Sequence, residues 1–130
     1  MAADFDAFLE GPRREAATAF VKGDASLVRA ISPHDGHATF FDPGGGYTEG
    51  AANINRVNAE GAARFGPGST TELDVKDRGS SGDLAFWTGF QTAQVEADGK
   101  ITPMNIRVTE VYRLQDGGWK MVHRHASIAK

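Results

Sequence analysis

Four long segments in the second half of the chain constrain its fold most strongly, because each has the composition of a β-strand. They are rich in Val, Thr, Phe and Trp, and the turn sequences RGSSGD, ADGK and DGG separate them. These segments are 70–77, 84–96, 104–115 and 119–128. Because short turns join the last three, we predict successive antiparallel strands of a meander.

The first half of the chain has mainly helical patterns. Gly11-Pro12 predicts the entry to a helix over 13–22, because proline is favoured at the first helical position. Segment 4–10 predicts one or two helical turns before it. A short second helix, capped by Asp24 or Ser26, is expected to end at Ile31. A later helix over 49–65 is expected to stop at the glycines and proline of 66–68.

Between these helices, 38–41 predicts a short strand and 42–48 a turn. Helices, a short strand, another helix and then long strands indicate an α+β domain, in which a curved antiparallel sheet carries its helices on one face. A chain of 130 residues is the length of one domain, so we predict a single domain over 1–130. A long bent sheet closed by helices is expected to enclose a pocket for a small molecule.

Composition excludes several classes of function. The chain has no cysteine, which excludes disulfides, thiol catalysis and thiolate metal sites. Its formal charge of −3 gives no basic field for a nucleic-acid partner. No apolar run reaches the roughly 18 residues of a membrane span, and the acidic N-terminal segment is unlike a signal peptide. We therefore expect no nucleic acid, no membrane association and a cytoplasmic location.

Asp42 is the first candidate for catalysis, within the segment HATFFDPGGGYTEG that begins at His37. A carboxylate at the end of a strand beside a covered cavity is a candidate general base, because partial burial raises its pKa. The alternative is an Asp-Pro-Gly-Gly turn in which the side chain accepts hydrogen bonds from its own backbone.

Glu110 is the second candidate, in a strand that alternates between two faces. One face carries Ile106, Val108 and Tyr112 beside it. A carboxylate in such an apolar row either faces a wet pocket or pairs with a cation, for which Arg107, Arg113 and Arg124 are the candidates.

His123 and His125 are two residues apart in one strand, so they point the same way. They are candidates for hydrogen bonds to a ligand, with His125 as a catalytic donor, or for packing in a dimer interface. Two histidines do not complete a metal site, and we predict no bound metal.

Aromatic residues are the candidates for lining the pocket. Trp87, Phe90 and Tyr112 lie in the long strands, where such side chains serve either a core or a ligand surface. Tyr47 follows the glycine run, so its phenol is placed to overhang the mouth of a cavity.

Two sequence segments carry a resemblance to a known group of proteins. With helices first, ATFFDPGGGYTEG in the middle and RVTEVYRLQDGGWKMVHRHAS near the end, the chain resembles the nuclear transport factor 2-like superfamily. Within it, the SnoaL-like, ketosteroid-isomerase-related group is the most similar. The resemblance covers about 13–127 and implies a cone-shaped sheet wrapped on the N-terminal helices, a fold also called cystatin-like.

The resemblance to ketosteroid isomerase implies roles for particular residues. Its base lies in an A-T-x-x-D-P-x-G segment, which places that role on Asp42. The acid of its oxyanion hole falls near Glu110, and its oxyanion tyrosine falls at Ala16, which has no hydroxyl. This chemistry needs no cofactor. It implies a SnoaL-like enzyme of the isomerase or cyclase type that acts on an apolar, carbonyl-bearing small molecule.

A second hypothesis comes from the same resemblance. The chain end is also similar to the association domain of calcium/calmodulin-dependent protein kinase II, which assembles subunits. Here the histidines and arginines serve an interface or hold a small anion. Under both hypotheses we expect a homodimer packed through the outer face of its sheet. The two hypotheses differ over Asp42: the enzyme requires a buried pocket there, whereas the module has an exposed turn.

Overall fold

The fold is taken from a computed structural model, which describes residues 4–129. Four α-helices and a π-helical turn precede and interrupt the strands: α1 Phe5–Phe8, the π-helix Leu9–Arg13, α2 Arg14–Val21, α3 Ser26–Ala30 and α4 Ala51–Ala62. The strands are β1 Thr39–Phe41, β2 Tyr47–Glu49, β3 Thr70–Ser81, β4 Leu84–Ala97, β5 Lys100–Gln115 and β6 Gly118–Ile128. None of the helices within the described residues is long and apolar enough to cross a membrane.

All six strands belong to one sheet in the order β2-β1-β6-β5-β4-β3. The predicted meander is present, since β3 to β6 pair antiparallel in sequence order. One pair departs from the antiparallel pattern, because β1 runs parallel to β6. The predicted α+β class, with helices before a curved sheet, is confirmed.

The inner face of the sheet packs against the N-terminal helices. The main core combines Phe5 and Leu9 from the helical segment with large side chains of the strands, which are Trp87, Ile106, Val108, Tyr112 and Trp119. On β5 the buried and exposed residues alternate from Ile106 to Arg113 as the sequence predicts, with only Val111 half-buried on the outer side. The inner face therefore includes Glu110, and the outer face includes Arg107 and Arg113.

The helix expected to begin after Gly11-Pro12 does not begin there. Residues 5–21 form a nearly continuous helical segment with Pro12 inside its π-helical turn. A proline inside a helix lacks an N–H and meets the carbonyl four residues earlier, here that of Phe8, so a wider turn accommodates it. The prediction was wrong because a proline at a helix start and one within a wide turn look alike in sequence.

The predicted turn over 42–48 is too long. Its last residues start β2, which pairs antiparallel with β1 in the register Thr39↔Glu49 and Phe41↔Tyr47. A strand of three residues beside a glycine run has too few positions to show an alternating pattern, so its pairing partner decides its conformation.

Two irregularities in strand pairing re-aim side chains. The β3–β4 register passes from Val75↔Gly89 to Asp77↔Thr88, which leaves Lys76 as an extra residue. The β5–β6 register passes from Val111↔His123 to Tyr112↔Met121, which leaves Val122 as a second one. Such bulges increase local twist and turn a side chain out of the regular row.

Candidate functional site

The described residues contain a buried polar cluster between the helices and the sheet, centred on the carboxylate of Glu110. Arg13 donates from Nε to Oε1 at 2.9 Å and from Nη2 to Oε2 at 2.8 Å. Trp87 Nε1 donates to Oε1 at 2.6 Å, and the Tyr112 hydroxyl donates to the same oxygen at 2.5 Å. Arg124 Nη1 donates to Oε2 from the opposite side. The carboxylate therefore accepts hydrogen bonds from four side chains.

Three of the four donors come from elements other than β5, the strand that carries both Glu110 and Tyr112. Arg13 is the last residue of the π-helix, and it reaches a glutamate 97 residues further along. Trp87 and Arg124 stand on the strands that flank β5, in the registers Trp87↔Glu110 and Glu110↔Arg124. Directly opposite side chains on one face of a sheet are in contact distance, so the strand register alone brings these groups together.

The electrostatics of the cluster favour an ionised glutamate. Burial alone would raise the pKa of Glu110, but the positive charges of Arg13 and Arg124 outweigh burial and hold the pKa well below its usual range. Burial and the adjacent carboxylate raise the pKa of Tyr112, so its phenol stays protonated and donates. Burial likewise acts to lower the pKa of Arg13, yet the Glu110 charge raises it above the ordinary value.

Polar contacts continue from the cluster towards the edge of the sheet. Arg124 Nη2 donates to Gln91 Oε1 at 3.1 Å, and Gln91 Nε2 donates to Thr71 Oγ1 at 3.1 Å. Burial lowers the pKa of Arg124, although Glu110 opposes that effect. One donor, Arg13 Nη1, is buried without a hydrogen-bond partner among the described residues. With two guanidinium groups and one carboxylate, the cluster holds more positive than negative charge.

Asp42 is not part of this cluster. It lies directly after β1, partly exposed, where its Oδ1 accepts from the backbone N–H of Gly44 at 2.9 Å and of Gly46 at 3.0 Å. Its backbone N–H also donates to the Gly46 carbonyl at 3.0 Å. This arrangement is the turn that the sequence offered as the alternative to a catalytic base, and Asp42 as a base stays a prediction.

The two histidines lie on the outer face of the sheet, opposite to Glu110. His123 Nδ1 is 2.7 Å from Thr39 Oγ1, and burial together with the charge of His125 lowers the pKa of His123. The ring of Phe41 lies 5.3 Å from that of His125 and stacks on Tyr47 at 4.9 Å. The structure therefore brings His123, His125 and Tyr47 together, and it keeps them apart from Glu110.

The remaining predicted residues divide between the two faces. Trp87 and Tyr112 are fully buried on the inner face, where both hydrogen-bond to Glu110. Phe90 stands on the outer face with 37% of its surface exposed. Within the described residues, no group of three or more His, Asp or Glu is placed to hold a metal ion. The candidate pocket residues thus do not line one common cavity.

Arg13 is the member of the buried cluster that the sequence did not indicate. Arg124 was among the expected partners of Glu110, whereas Arg13 lies in a helix and was assigned no role. The available signal was the pair Arg13-Arg14 at the start of a helix with an apolar face, where one arginine has to point inwards. Identifying its partner across 97 residues requires the tertiary fold.

Solved structures with the same arrangement place the chain in a known fold class. A nuclear transport factor 2-like superfamily protein from Salmonella enterica matches with a TM-score of 0.79 and 20% identity, over 96% of this chain and 91% of that one. A ketosteroid isomerase-like protein from Erwinia carotovora matches with a TM-score of 0.72 and 23% identity, over 95% of each chain. The CaMKII hub of S. rosetta matches with a TM-score of 0.74 and 25% identity, over 99% of each. The fold is therefore nuclear transport factor 2-like.

The family is narrower than the fold. The protein-family model for the SnoaL-like domain matches residues 14–130, so the chain belongs to the SnoaL-like family. No curated protein matches the chain. The resemblance expected from the sequence is confirmed at the level of family and fold.

The buried cluster predicts a large stability loss for Glu110→Gln. The amide keeps the size of the side chain but leaves Arg13 and Arg124 without a counter-charge, and breaking a buried pair costs about 3–5 kcal/mol. Urea unfolding of this variant should show that loss. The control is Glu60→Gln, whose exposed carboxylate pairs with Arg56 at 3.5 Å and should change stability by less than about 0.5 kcal/mol. Equal stability of the two variants would contradict a central role for Glu110.

The depressed pKa of Glu110 also predicts how stability depends on pH. A carboxylate whose pKa is lower in the folded state stabilises the fold above its unfolded pKa, about 4.3 for glutamate, and this contribution is lost as the pH falls towards the folded pKa. The stability difference between wild type and Glu110→Gln should therefore be constant from pH 7 to about 5 and shrink below about 4. Unfolding at each pH measures it, and a constant difference down to about pH 3 would contradict the ionised assignment.

Proposed function

We propose that this SnoaL-like chain is a self-associating module that forms a homodimer through the outer face of its sheet. The observation that carries the proposal is that both oxygens of the Glu110 carboxylate are occupied by hydrogen bonds from other side chains. This carboxylate lies inside the fold, where the sequence led us to expect a ligand pocket. The exposed apolar outer face supplies the interface.

The chemistry of the interior supports a structural rather than a catalytic role for Glu110. A general acid that stabilises an oxyanion must carry a proton, whereas Arg13 and Arg124 favour the ionised form of Glu110. Its two oxygens accept from four side chains, and the residue is 0% exposed. Trp87 and Tyr112 were both candidates for ligand contacts, but each donates its hydrogen bond to this same carboxylate.

The outer face has the composition of an interface. Most of the large exposed hydrophobic side chains belong to this face, and they are Phe41, Tyr47, Leu84, Phe86, Phe90 and Ile101. Strand register connects three of them, Phe86, Phe41 and Tyr47, in one band across the sheet. The pairs are Phe86↔Val111, Val111↔His123, Phe41↔His125 and Phe41↔Tyr47. A contiguous apolar patch of this kind marks a protein interface more often than free surface. A twofold interface uses the same patch on both subunits, so a single face suffices.

The comparisons are compatible with this assignment. The S. rosetta structure, which aligns over 99% of both chains, is named a hub. Because fold likeness alone does not fix function, the exposed band and the enclosed Glu110 carboxylate are what support assembly.

Phe86→Glu should therefore convert the dimer into a monomer. Phe86 is a 38% exposed member of the apolar band, and a charge placed there would lose its water in the interface. Sedimentation velocity of both proteins measures the change. Leu27→Glu is the matched control, since Leu27 is 40% exposed on α3 rather than on a strand of the sheet, and it should leave the dimer intact. A monomeric wild type, or a dimeric Phe86→Glu, would overturn the interface.

A second candidate function is the cofactor-independent enzyme, in which Asp42 removes a proton beside a carbonyl of an apolar small molecule. The observation that favours it is the placement of Asp42 directly after Phe41, which stands opposite His125 in the β1–β6 pair. His125 would then be the hydrogen-bond donor to the oxyanion, because the Glu110 carboxylate already accepts hydrogen bonds from Arg13 and Arg124. The Erwinia carotovora neighbour is named ketosteroid isomerase-like.

The variant Asp42→Asn tests this second candidate function, and the test needs no knowledge of the natural substrate or product. Proton removal beside a carbonyl exchanges hydrogen for deuterium in heavy water, so the exchange of cyclohexanone can be followed by NMR. If Asp42 is the base, wild-type protein accelerates the exchange, and Asp42→Asn loses that acceleration by about a hundredfold or more. Asp83→Asn, another exposed turn acid, is the control. Acceleration that is equal in all three proteins would refute the base assignment.

A further inference from the structure

We propose that a groove on the outer face, which runs across β3, β4, β5 and β6, binds a small planar carboxylate. Arg107 would bind the carboxylate, and Phe90 would contact the ring. The groove has a volume of about 340 Å³. Residues from four neighbouring strands line it, and they include Lys76, Phe90, Arg107, His125 and Ser127. The inference goes beyond the proposed dimer, because each copy of the chain carries the whole groove. The row Phe90↔Arg107↔Ser127 that forms the groove lies four residues along the strands from the interface row Phe86↔Val111↔His123.

Arg107 supplies the fixed positive charge. It makes no ion pair among the residues that the structure describes, and its Nε donates to Ser127 Oγ at 3.2 Å. That bond uses one edge of the guanidinium and leaves the two terminal nitrogens for a carboxylate, which arginine binds through parallel hydrogen bonds. Because Ser127 Oγ is the acceptor from Arg107, its own proton is free to be donated into the groove.

Lys76 is directed towards the groove by a bulge. It is the extra residue between Val75↔Gly89 and Asp77↔Thr88, so it leaves the regular alternation of β3. The bulge depends on Gly89, since a Cβ there would lie 2.0 Å from the Asp74 carbonyl oxygen. Lys76 pairs with Asp74 at 3.1 Å, and both side chains are more than half exposed, so the pair is weak and can be exchanged for a ligand anion.

Phe90 and His125 complete the groove. Phe90 stands directly opposite Arg107 in the β4–β5 register, which places a flat apolar ring beside the cation. His125 presents at least one N–H in either of its charge states. A ligand with a planar apolar body and one carboxylate matches this pairing of ring and cation, whereas a bare inorganic anion would use only the cations. Benzoate is the simplest such ligand.

Titration of the uniformly ¹⁵N-labelled protein with benzoate, at constant ionic strength, tests the site. Saturable shifts are expected at the backbone amides of Lys76, Gly89 and Phe90. Arg107→Gln should weaken binding by about tenfold or more, because a hydrogen-bonded charge pair is lost. The matched control is Arg113→Gln, which removes an arginine from the same face of the same strand but outside the groove, and it should bind as the wild type does.

Two further measurements separate the alternatives. Phosphate should bind more weakly than benzoate, and Phe90→Ala should weaken benzoate but not phosphate. Amide shifts that stay linear in benzoate concentration, or equal losses of benzoate affinity in Arg107→Gln and Arg113→Gln, would overturn the site. Phosphate that binds as tightly as benzoate would overturn the planar ligand. Sedimentation of the same samples keeps the dimer proposal separate, because Arg107→Gln should lose benzoate with no change in mass.

Discussion

The rest of the structure depends on one buried carboxylate. Glu110 fixes the N-terminal helical segment to the sheet through Arg13, and it ties β4 and β6 to β5 through Trp87 and Arg124. An ionised group inside a protein needs a paired counter-charge, since an unpaired buried charge costs several kcal/mol. The cluster therefore specifies how the helices seat on the sheet, and the apolar core around it supplies the bulk of the stabilisation.

The N-terminal helical segment makes this arrangement possible with two consecutive arginines. Arg13 ends the π-helical turn and points into the core, while Arg14 donates from Nη1 to the carbonyl of Leu73 on the edge strand β3 at 2.7 Å. One arginine thus anchors the segment to the middle of the sheet and the next to its border. Arg14 also occupies a backbone acceptor of an edge strand, which otherwise is a site for pairing with another chain.

Sequence reasoning was sound where one residue pattern had one structural meaning. The alternation of β5 correctly predicted that Glu110 lies on the apolar face. The two-residue separation of His123 and His125 correctly predicted that both lie on one face. It was weaker where a local motif fits two structures, as Pro12 does at a helix start or in a wide turn. The partnership of Arg13 with Glu110 was not predictable, because it depends on how a helix seats on a strand 97 residues away.

The two faces of β5 suggest how one fold supports different functions. On the inner face, the Glu110 carboxylate is enclosed and accepts hydrogen bonds from four side chains, so it has no free oxygen lone pair directed at a ligand site. On the outer face, Arg107 and His125 keep their polar atoms accessible among exposed aromatic side chains. Neighbouring residues of a strand point to opposite faces, so a shift of one position along β5 separates an enclosed side chain from an accessible one. We therefore propose that contacts of this chain with a partner or ligand lie on the outer face of the sheet.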